Sequence, residues 1–263
     1  MHEEFKKAIE QKKRLLILFS GGLDSAVLAR TALEVLGKEA QAVTIDSPVF
    51  PRAEIDHARQ MAASLGIKQE ILAIDEMADS NFIANTPQRC YVCRKLRDRA
   101  VRLWATQRAF EVIADGLNFS DLDDYRPGLK AADEDGIWHP FIDFRIRKED
   151  IRNYAVNTGI PGWNKPPTVC LASRFPYGFP LERKLVRKVE QAEEYLKGMG
   201  FAAVRVRCFP HGAALVEVDD LDGAFAKREK IIQGVRDAGF LFVSLNLEEF
   251  VSGMMNRLVK HFY

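Results

Sequence analysis

Short apolar runs alternate with helix-forming stretches through the first half of the chain, and this alternation restricts the possible folds more than any other feature. The runs are residues 14–19, 41–45, 69–74 and 111–114. Strands without a polar face must be covered on both sides, as they are in a parallel sheet with helices on both faces. We therefore predict an α/β fold with a doubly wound parallel sheet.

The amino-acid composition of the chain changes over residues 159–180, which are rich in proline and glycine. Such a segment is typical of a long functional loop or a linker between domains. Beyond it, helices predicted at about 182–197 and 221–235, a short terminal helix and alternating stretches between them indicate a second, smaller α+β domain. We place the boundary at residue 168, so that the larger domain is 1–168 and the smaller is 169–263.

The charges of the chain are balanced, with 38 Lys and Arg against 37 Asp and Glu. No strong overall field would attract a polyanion, so we expect neither nucleic acid nor a membrane as a partner. The start of the chain is charged, without the apolar stretch of a signal peptide, and we expect a cytoplasmic protein. In a reducing compartment its four cysteines indicate metal binding or catalysis.

A candidate phosphate-binding loop joins the first predicted strand to the first predicted helix. Its residues are Ser20, Gly21, Gly22, Leu23, Asp24 and Ser25. Glycines let backbone N–H groups approach a ligand, and a helix N-terminus favours an anion. The Asp24 carboxylate can hold a metal or orient the loop. The loop is neither a Walker loop nor a dinucleotide fingerprint, and an ordinary tight turn with an N-cap is the simpler alternative.

Cys90 and Cys93 form a CxxC pair just before a predicted basic helix. Two thiols at this spacing can chelate one metal or cluster, whereas a closed zinc site needs four ligands. Three cysteines with an open fourth position suit a 4Fe–4S cluster. A zinc site that includes Cys208, and a CxxC that only caps the helix, stay open as alternatives.

Several segments resemble signatures of the LarE-type sulfur transferases of the PP-loop ATP pyrophosphatase superfamily. Residues 20–25 resemble the SGGxDS loop, residues 115–128 the DGxNxSDxxDYRPG segment, and residues 165–178 the KPxxxCLASRxPYG stretch. Arg-Val-Arg at 205–207 and Ser-Gly-Met-Met-Asn at 252–256 also fit. The resemblance therefore runs from the phosphate loop almost to the end of the chain.

The resemblance implies an ATP-dependent sulfur transferase that acts on a pyridinium biscarboxylate mononucleotide in nickel-pincer cofactor synthesis. A carboxylate would be adenylated with release of pyrophosphate and then converted to a thiocarboxylate. Cys170 occupies the position of a cysteine that some family members sacrifice, leaving dehydroalanine. Other members hold a 4Fe–4S cluster on three cysteines, and we expect Cys90, Cys93 and Cys170 to form that triad.

The resemblance also implies the ligands of ATP, Mg²⁺ and the substrate. ATP would be bound by Ser20, Gly21, Gly22, Asp24, Ser25, Asp46, Asp115 and Gly116. Arg174, Arg205 and Arg207 would hold the substrate phosphate, which guanidinium groups match in geometry, and Glu194 lies near a further functional position. Lys165 and Arg174 flank Cys170 and would favour its thiolate. The family also implies a homo-oligomer.

Two related activities are alternatives. A tRNA sulfur transferase of the same superfamily would be expected to carry an RNA-binding domain or a strongly basic surface. An amide-forming synthetase akin to the NAD and GMP synthetases would need no cysteine at position 170. A non-catalytic nucleotide-binding module, the third possibility, would leave Cys170 and the arginines unexplained.

Overall fold

A computed structural model describes residues 3–123, 127–163 and 169–248 of the chain. The chain divides into two units, of which the first is Met1–Glu76 with Cys90–Thr168 and the second is Met77–Arg89 with Val169–Tyr263. The second unit therefore includes a short segment that interrupts the first one in the sequence. Lys165, the 252–256 motif, part of the DYRPG motif and the predicted terminal helix lie outside the described residues.

The described strands are β1 (Leu15–Leu18), β2 (Ala40–Asp46), β3 (Lys68–Ala73), β4 (Ile113–Ala114), β5 (Val204–Phe209), β6 (Ala213–Val218) and β7 (Phe242–Leu245). The described helices are α1 (Glu3–Gln11), α2 (Leu23–Leu36), α3 (Arg52–Leu65), α4 (Ser80–Ile83), α5 (Arg89–Thr106), α6 (Pro127–Glu134), α7 (Pro140–Asp143), α8 (Lys148–Asn157), α9 (Arg183–Gly198), α10 (Leu221–Ala226) and α11 (Arg228–Asp237). No described helix is both long and apolar enough to cross a membrane.

A four-stranded parallel sheet in the order β3–β2–β1–β4 forms the centre of the first unit. Side chains alternate across a strand, so Leu15 and Ile17 pack into one apolar cluster with α1, α2, α3 and α8. Leu16 points the other way and packs with α5 and α6. Helices therefore cover both faces, and the predicted doubly wound parallel sheet is confirmed.

The second unit contains a three-stranded sheet in the order β5–β6–β7. Strand β5 is antiparallel to β6, whereas β7 is parallel to it. Helix α9 buries Val186, Val189, Ala192 and Leu196, whose spacing of three and four residues forms one apolar stripe. The segment 77–89 is bonded into this unit, because the Asn85 amide donates to the carbonyl oxygens of Pro176 and Phe179 at 2.8 Å each. A smaller α+β unit was predicted and is present.

Three local features differ from the sequence prediction. Helix α5 begins at Arg89, so the CxxC pair lies inside the helix and not before it; cysteine, tyrosine and valine lower helix propensity only slightly, and the basic helix extends back through them. The predicted helix 221–235 is broken at Lys227 into α10 and α11. Residues Leu171–Arg174 form a short 3₁₀ turn inside the segment expected to be irregular.

Candidate active site

The predicted phosphate loop lies between β1 and α2, with Gly22 as the N-cap of the helix. The Gly22 N–H donates to Ser20 Oγ at 3.2 Å, and the Ser25 hydroxyl donates to the Gly22 carbonyl at 2.9 Å. The two serine hydroxyl oxygens are 3.2 Å apart. Both serines therefore brace the loop from inside, and the Ser25 hydroxyl hydrogen is already used within the loop.

Two glycines of the site are required by close backbone contacts. Gly21 has a φ of +74°, and a Cβ atom there would lie 2.6 Å from the Cα of Ala58. A Cβ on Gly116 would lie 2.8 Å from the backbone nitrogen of Ser25. Any side chain at these two positions would displace the start of α2 or the neighbouring helix α3, so both are held as glycine by the packing of the loop.

A cavity of about 360 Å³ opens at the carboxyl ends of the parallel strands. Strand β1 is flanked by β2 on one side and β4 on the other, so the connections from β1 and β4 diverge at this edge. Open α/β sheets bind ligands at such a point. Of the residues predicted to bind ATP, the cavity lining includes Ser20, Gly22, Asp24, Ser25, Asp115 and Gly116.

The other two predicted ATP residues have different positions. Gly21 packs closely against the backbone of Ala58 in α3. Asp46 ends β2 and forms an ion pair with Arg52, whose guanidinium also donates to the Ser47 carbonyl at 2.5 Å. These contacts shape the turn after β2.

Asp115 is buried in a polar network behind the cavity. Its carboxylate accepts from Arg94 at 2.8 Å and lies 2.7 Å from His139 Nδ1, and Arg94 also bonds Asp98 at 2.7 Å. Burial opposes ionisation of Asp115, but His139 and Arg94 outweigh it and hold the pKa of this carboxyl below its ordinary value. Asp115 also accepts from the Leu117 N–H at 3.1 Å, so it is a charged anchor for the loop after β4.

Sequence reasoning missed several residues of this site. Arg94, Arg97 and Asp98 line the cavity from α5, together with Phe50 and Asp121 from two loops. Arg97 lies over the Phe50 ring, 4.4 Å from its centroid, and is paired with the buried Glu76. The Lys148 ammonium lies 2.6 Å from each carboxylate oxygen of Asp24. The basic character of α5 was the available signal for the arginines, whereas nothing local indicated Lys148.

Cys90 is exposed and Cys93 is buried, one helical turn apart at the start of α5. Residues three apart lie on the same side of a helix. The Cys93 sulfur is 4.0 Å from a carboxylate oxygen of Glu76. All four cysteines of the chain are described, and each is a thiol. Within the described residues, no three His, Cys, Asp or Glu side chains are gathered in a ready-made metal site.

Cys170 lies in the second unit and is half-buried. It precedes the 3₁₀ turn, and its carbonyl oxygen accepts from the Ser173 N–H at 3.1 Å and from the Ser173 hydroxyl at 2.9 Å. Within the same unit, Arg89 donates to the Ala172 carbonyl at 2.8 Å.

Arg174 and Arg207 are each held in a buried, two-pronged ion pair. Arg174 bonds Glu193 at 2.7 and 3.0 Å, and Arg207 bonds Glu217 at 2.9 and 2.8 Å. The positive charge of each guanidinium is therefore already balanced. Arg174 also donates to the Ser173 hydroxyl at 2.7 Å. Both arginines support the CLASR segment, since Arg207 donates to the Ser173 carbonyl at 2.9 Å.

Arg205 differs from its two neighbours. Burial, and then the positive charges of Arg174 and Arg207, lower the pKa of its guanidinium to about 10. Its side chain donates to the Val204 carbonyl at 2.7 Å. A cation destabilised in this way is stabilised by a bound anion, and the role of Arg205 as a phosphate ligand stays a prediction.

The two remaining predicted positions in the second unit are Glu194 and Cys208. Glu194 is exposed, whereas the adjacent Glu193 is buried and accepts from both Arg174 and the Val206 N–H. Sequence reasoning therefore overlooked Glu193, because the helical face that turns inward is decided by packing. Burial raises the pKa of the Cys208 thiol to about 11, which suits a core residue.

A glycine-containing loop at a helix N-terminus and a cavity at the carboxyl edge of a parallel sheet define a PP-loop nucleotide-binding unit. Residues 2–95 match the family model described as asparagine synthase. The chain is also 35% identical over 260 residues to an uncharacterised protein of Synechocystis sp., covering 98% of this chain and 97% of that protein.

The similarity to a functionally described relative covers both units. The chain is 33% identical to the pyridinium-3,5-bisthiocarboxylic acid mononucleotide synthase of Lactiplantibacillus plantarum. The match extends over 252 residues, which cover 95% of this chain and 91% of the synthase. A tRNA-specific 2-thiouridylase of Desulforamulus reducens is 28% identical over 59% of this chain and 53% of that enzyme. The chain belongs to the LarE-type ATP-dependent sulfur transferases, as its motifs predicted.

Proposed function

We propose that the chain adenylates a carboxylate of a pyridinium biscarboxylate mononucleotide and converts it to a thiocarboxylate, a step of nickel-pincer cofactor synthesis. The observation that carries this proposal is the 33% identity to a synthase named for that product, over 95% of this chain. A match confined to the nucleotide-binding half would support only the use of ATP. The magnesium ion and the homo-oligomer expected from the family stay predictions.

The first step takes place at the phosphate loop. A substrate carboxylate oxygen attacks the α-phosphorus of ATP, the bond to the α–β bridging oxygen breaks, and pyrophosphate leaves with the electron pair. The cavity of about 360 Å³ is within the usual size of small-ligand sites. Asp24 and Asp121 both line it, and their carboxylate oxygens are the donor type that Mg²⁺ takes. The metal would neutralise phosphate charge.

Arg205 would bind the phosphate of the mononucleotide substrate. Its depressed pKa, about 10, reflects a positive charge that a phosphate would stabilise. Arg174 and Arg207 would contribute mainly by holding the segment around Ser173, because their guanidinium groups are bound to Glu193 and Glu217. This division of roles differs from the expectation that all three arginines hold the substrate phosphate directly.

The sulfur would come by one of two routes that use Cys170 differently. In the sacrificial route the Cys170 thiolate displaces AMP from the adenylate to give a thioester. A base then removes the Cys170 α-proton, the Cβ–S bond breaks, and the product keeps the sulfur while dehydroalanine remains. In the catalytic route Cys90, Cys93 and Cys170 would hold a 4Fe–4S cluster, whose labile iron supplies sulfur from an external donor.

Two observations favour Cys90 and Cys93 as ligands over a site that includes Cys208. The helical spacing of Cys90 and Cys93 presents two thiols on one side of α5. Cys208 is a poor substitute ligand, since it is buried in β5 and its thiol has a pKa raised to about 11; a metal ligand must be deprotonated.

The experiment that tests the sulfur route is anaerobic purification with iron and sulfide counting. Wild type should hold about four irons, and Cys90→Ala, Cys93→Ala and Cys170→Ala should each lose them. Cys208→Ala is the matched control and should keep the wild-type content. Absence of iron after reconstitution would exclude the cluster and favour the sacrificial route, in which mass spectrometry would find Cys170 reduced in mass by one H₂S per turnover.

A substrate assay separates the proposal from its alternatives. Pyrophosphate release should depend on the pyridinium biscarboxylate mononucleotide and not on tRNA. Release that depends on tRNA and adds sulfur to it would instead establish the thiouridylase activity that the partial match raises. Release with ammonia as acceptor, unaffected by Cys170→Ala, would favour an amide-forming synthetase.

A further inference from the structure

Lys148 is the first residue of α8, and its ammonium group is bound to the phosphate loop. The Lys148 nitrogen lies 2.6 Å from both carboxylate oxygens of Asp24, a residue 124 positions earlier in the chain. The two side chains are 35% and 25% exposed, so the pair is reachable from solvent and lies at the rim of the site.

The backbone around Lys148 is fixed to the loop after β4. The Phe119 N–H donates to the Ile146 carbonyl at 2.9 Å, and the Lys148 N–H donates to the Ser120 hydroxyl at 3.2 Å. The same loop carries Gly116, which packs against the start of α2. These contacts therefore fix the backbone from which the Lys148 side chain extends toward Asp24.

The charge of Asp24 creates a difficulty that Lys148 resolves. Asp24 lines the cavity from the first turn of α2, where the helix N-terminus favours an anion. A carboxylate next to a bound phosphate would oppose its binding through repulsion between like charges. Lys148 neutralises this carboxylate. A lysine ammonium on a flexible stem can also turn from the carboxylate to a phosphate while its helix stays in place.

We propose that Lys148 is a catalytic residue of the adenylation step, held by Asp24 until nucleotide binds and then contacting the departing pyrophosphate. When the bond between the α-phosphorus and the bridging oxygen breaks, the electron pair and the negative charge remain on pyrophosphate, and the Lys148 ammonium stabilises that charge. This inference rests on the proposed adenylation. Because the charge grows during the reaction, Lys148 contributes more to kcat than to the KM for ATP.

Inorganic pyrophosphate is the probe that tests the contact without requiring turnover. By titration calorimetry, Lys148→Met should bind pyrophosphate at least about tenfold more weakly than wild type, the loss of one charge-assisted contact. Asp24→Asn should bind it more tightly in the absence of divalent metal, because it releases Lys148 and removes a negative charge.

Arg152→Met is the matched control for the change in net charge. Arg152 is exposed on the same helix, about 6 Å further along its axis, and its replacement should change pyrophosphate affinity less than twofold. Equal affinities of Lys148→Met and Arg152→Met would overturn the assignment, as would a wild type that does not bind pyrophosphate. Circular dichroism of each variant checks that the fold is kept.

Steady-state pyrophosphate release then tests the catalytic part. Lys148→Met should lower kcat about 100-fold with a KM for ATP within a few-fold of wild type, and Lys148→Arg should recover part of the rate. A raised KM with an unchanged kcat would reduce Lys148 to a binding residue and overturn the catalytic role. If wild type releases no pyrophosphate with the mononucleotide, the proposed function fails, while the calorimetric comparison still decides whether Lys148 contacts pyrophosphate.

Discussion

Replacing Glu193 with glutamine should destabilise the second unit far more than the same change at the adjacent Glu194. Glu193 is 2% exposed, and its partner Arg174 is 1% exposed. The two side chains share bonds of 2.7 and 3.0 Å, and Glu193 also accepts from the Val206 N–H at 3.0 Å. Glutamine keeps the size of the side chain but leaves the Arg174 charge buried without a counter-charge.

The expected loss is about 3–5 kcal/mol, the usual cost of removing one partner of a buried ion pair. This is about a fifth or more of the free energy of unfolding of an average domain, about 5–15 kcal/mol. Glu194→Gln changes an exposed side chain on the same helix and should stay within about 0.5 kcal/mol of wild type.

Urea unfolding followed by circular dichroism at pH 7 measures both variants. A loss below about 1 kcal/mol for Glu193→Gln, or a loss no greater than that of Glu194→Gln, would refute the reasoning. A double variant, Arg174→Met with Glu193→Leu, should recover most of the stability, because an apolar pair needs no compensation of charge. Failure of that recovery would show that the cost lies in packing and not in the unpaired guanidinium.

Three further predictions concern other parts of the chain. Gly21→Ala should abolish pyrophosphate release, because its Cβ would lie 2.6 Å from Ala58 Cα. Gly66 has the same φ of +74° but open space around it, so Gly66→Ala should cost about 1 kcal/mol of stability and keep activity. Cys208 should resist iodoacetamide at pH 8 and react only near pH 11, since burial raises the pKa of its thiol to about 11; rapid labelling at pH 8, seen by mass spectrometry, would contradict this. Arg205→Gln should raise stability by about 1 kcal/mol after allowance for solvent screening and weaken binding of the mononucleotide.

The pH dependence of the Arg205 effect has a definite sign. Its folded pKa of about 10 lies below the ordinary value of 12.5, so between these pH values the unfolded chain binds more protons than the folded one. Wild-type stability should therefore rise relative to Arg205→Gln as the pH increases above about 10, and the difference should be constant below it. A difference that grows as the pH falls from 9 to 7 would show that another group is responsible.

The sequence by itself determined the class of fold and the location of the phosphate loop. The apolar runs around β1 and β2 contain their own local signal, because strands buried on both faces consist mainly of apolar side chains. The loop at residues 20–25 was recognisable for a similar reason, since a glycine turn between strand and helix is a local feature. Cys170 was identified by the motif around it, and its role stays a prediction.

Tertiary structure decided which charged groups meet. Lys148 and Asp24 are 124 residues apart, and no periodicity relates them. Glu193 is buried and Glu194 is exposed because of how α9 packs on β5. Rotating α9 about its axis by the angle between adjacent residues would bury Glu194 in place of Glu193. The three arginines were seen together in the sequence, yet only the positions of Glu193 and Glu217 show that two of them are already neutralised. Local patterns specify strands, helices and turns, whereas the pairing of buried charges depends on contacts between distant segments.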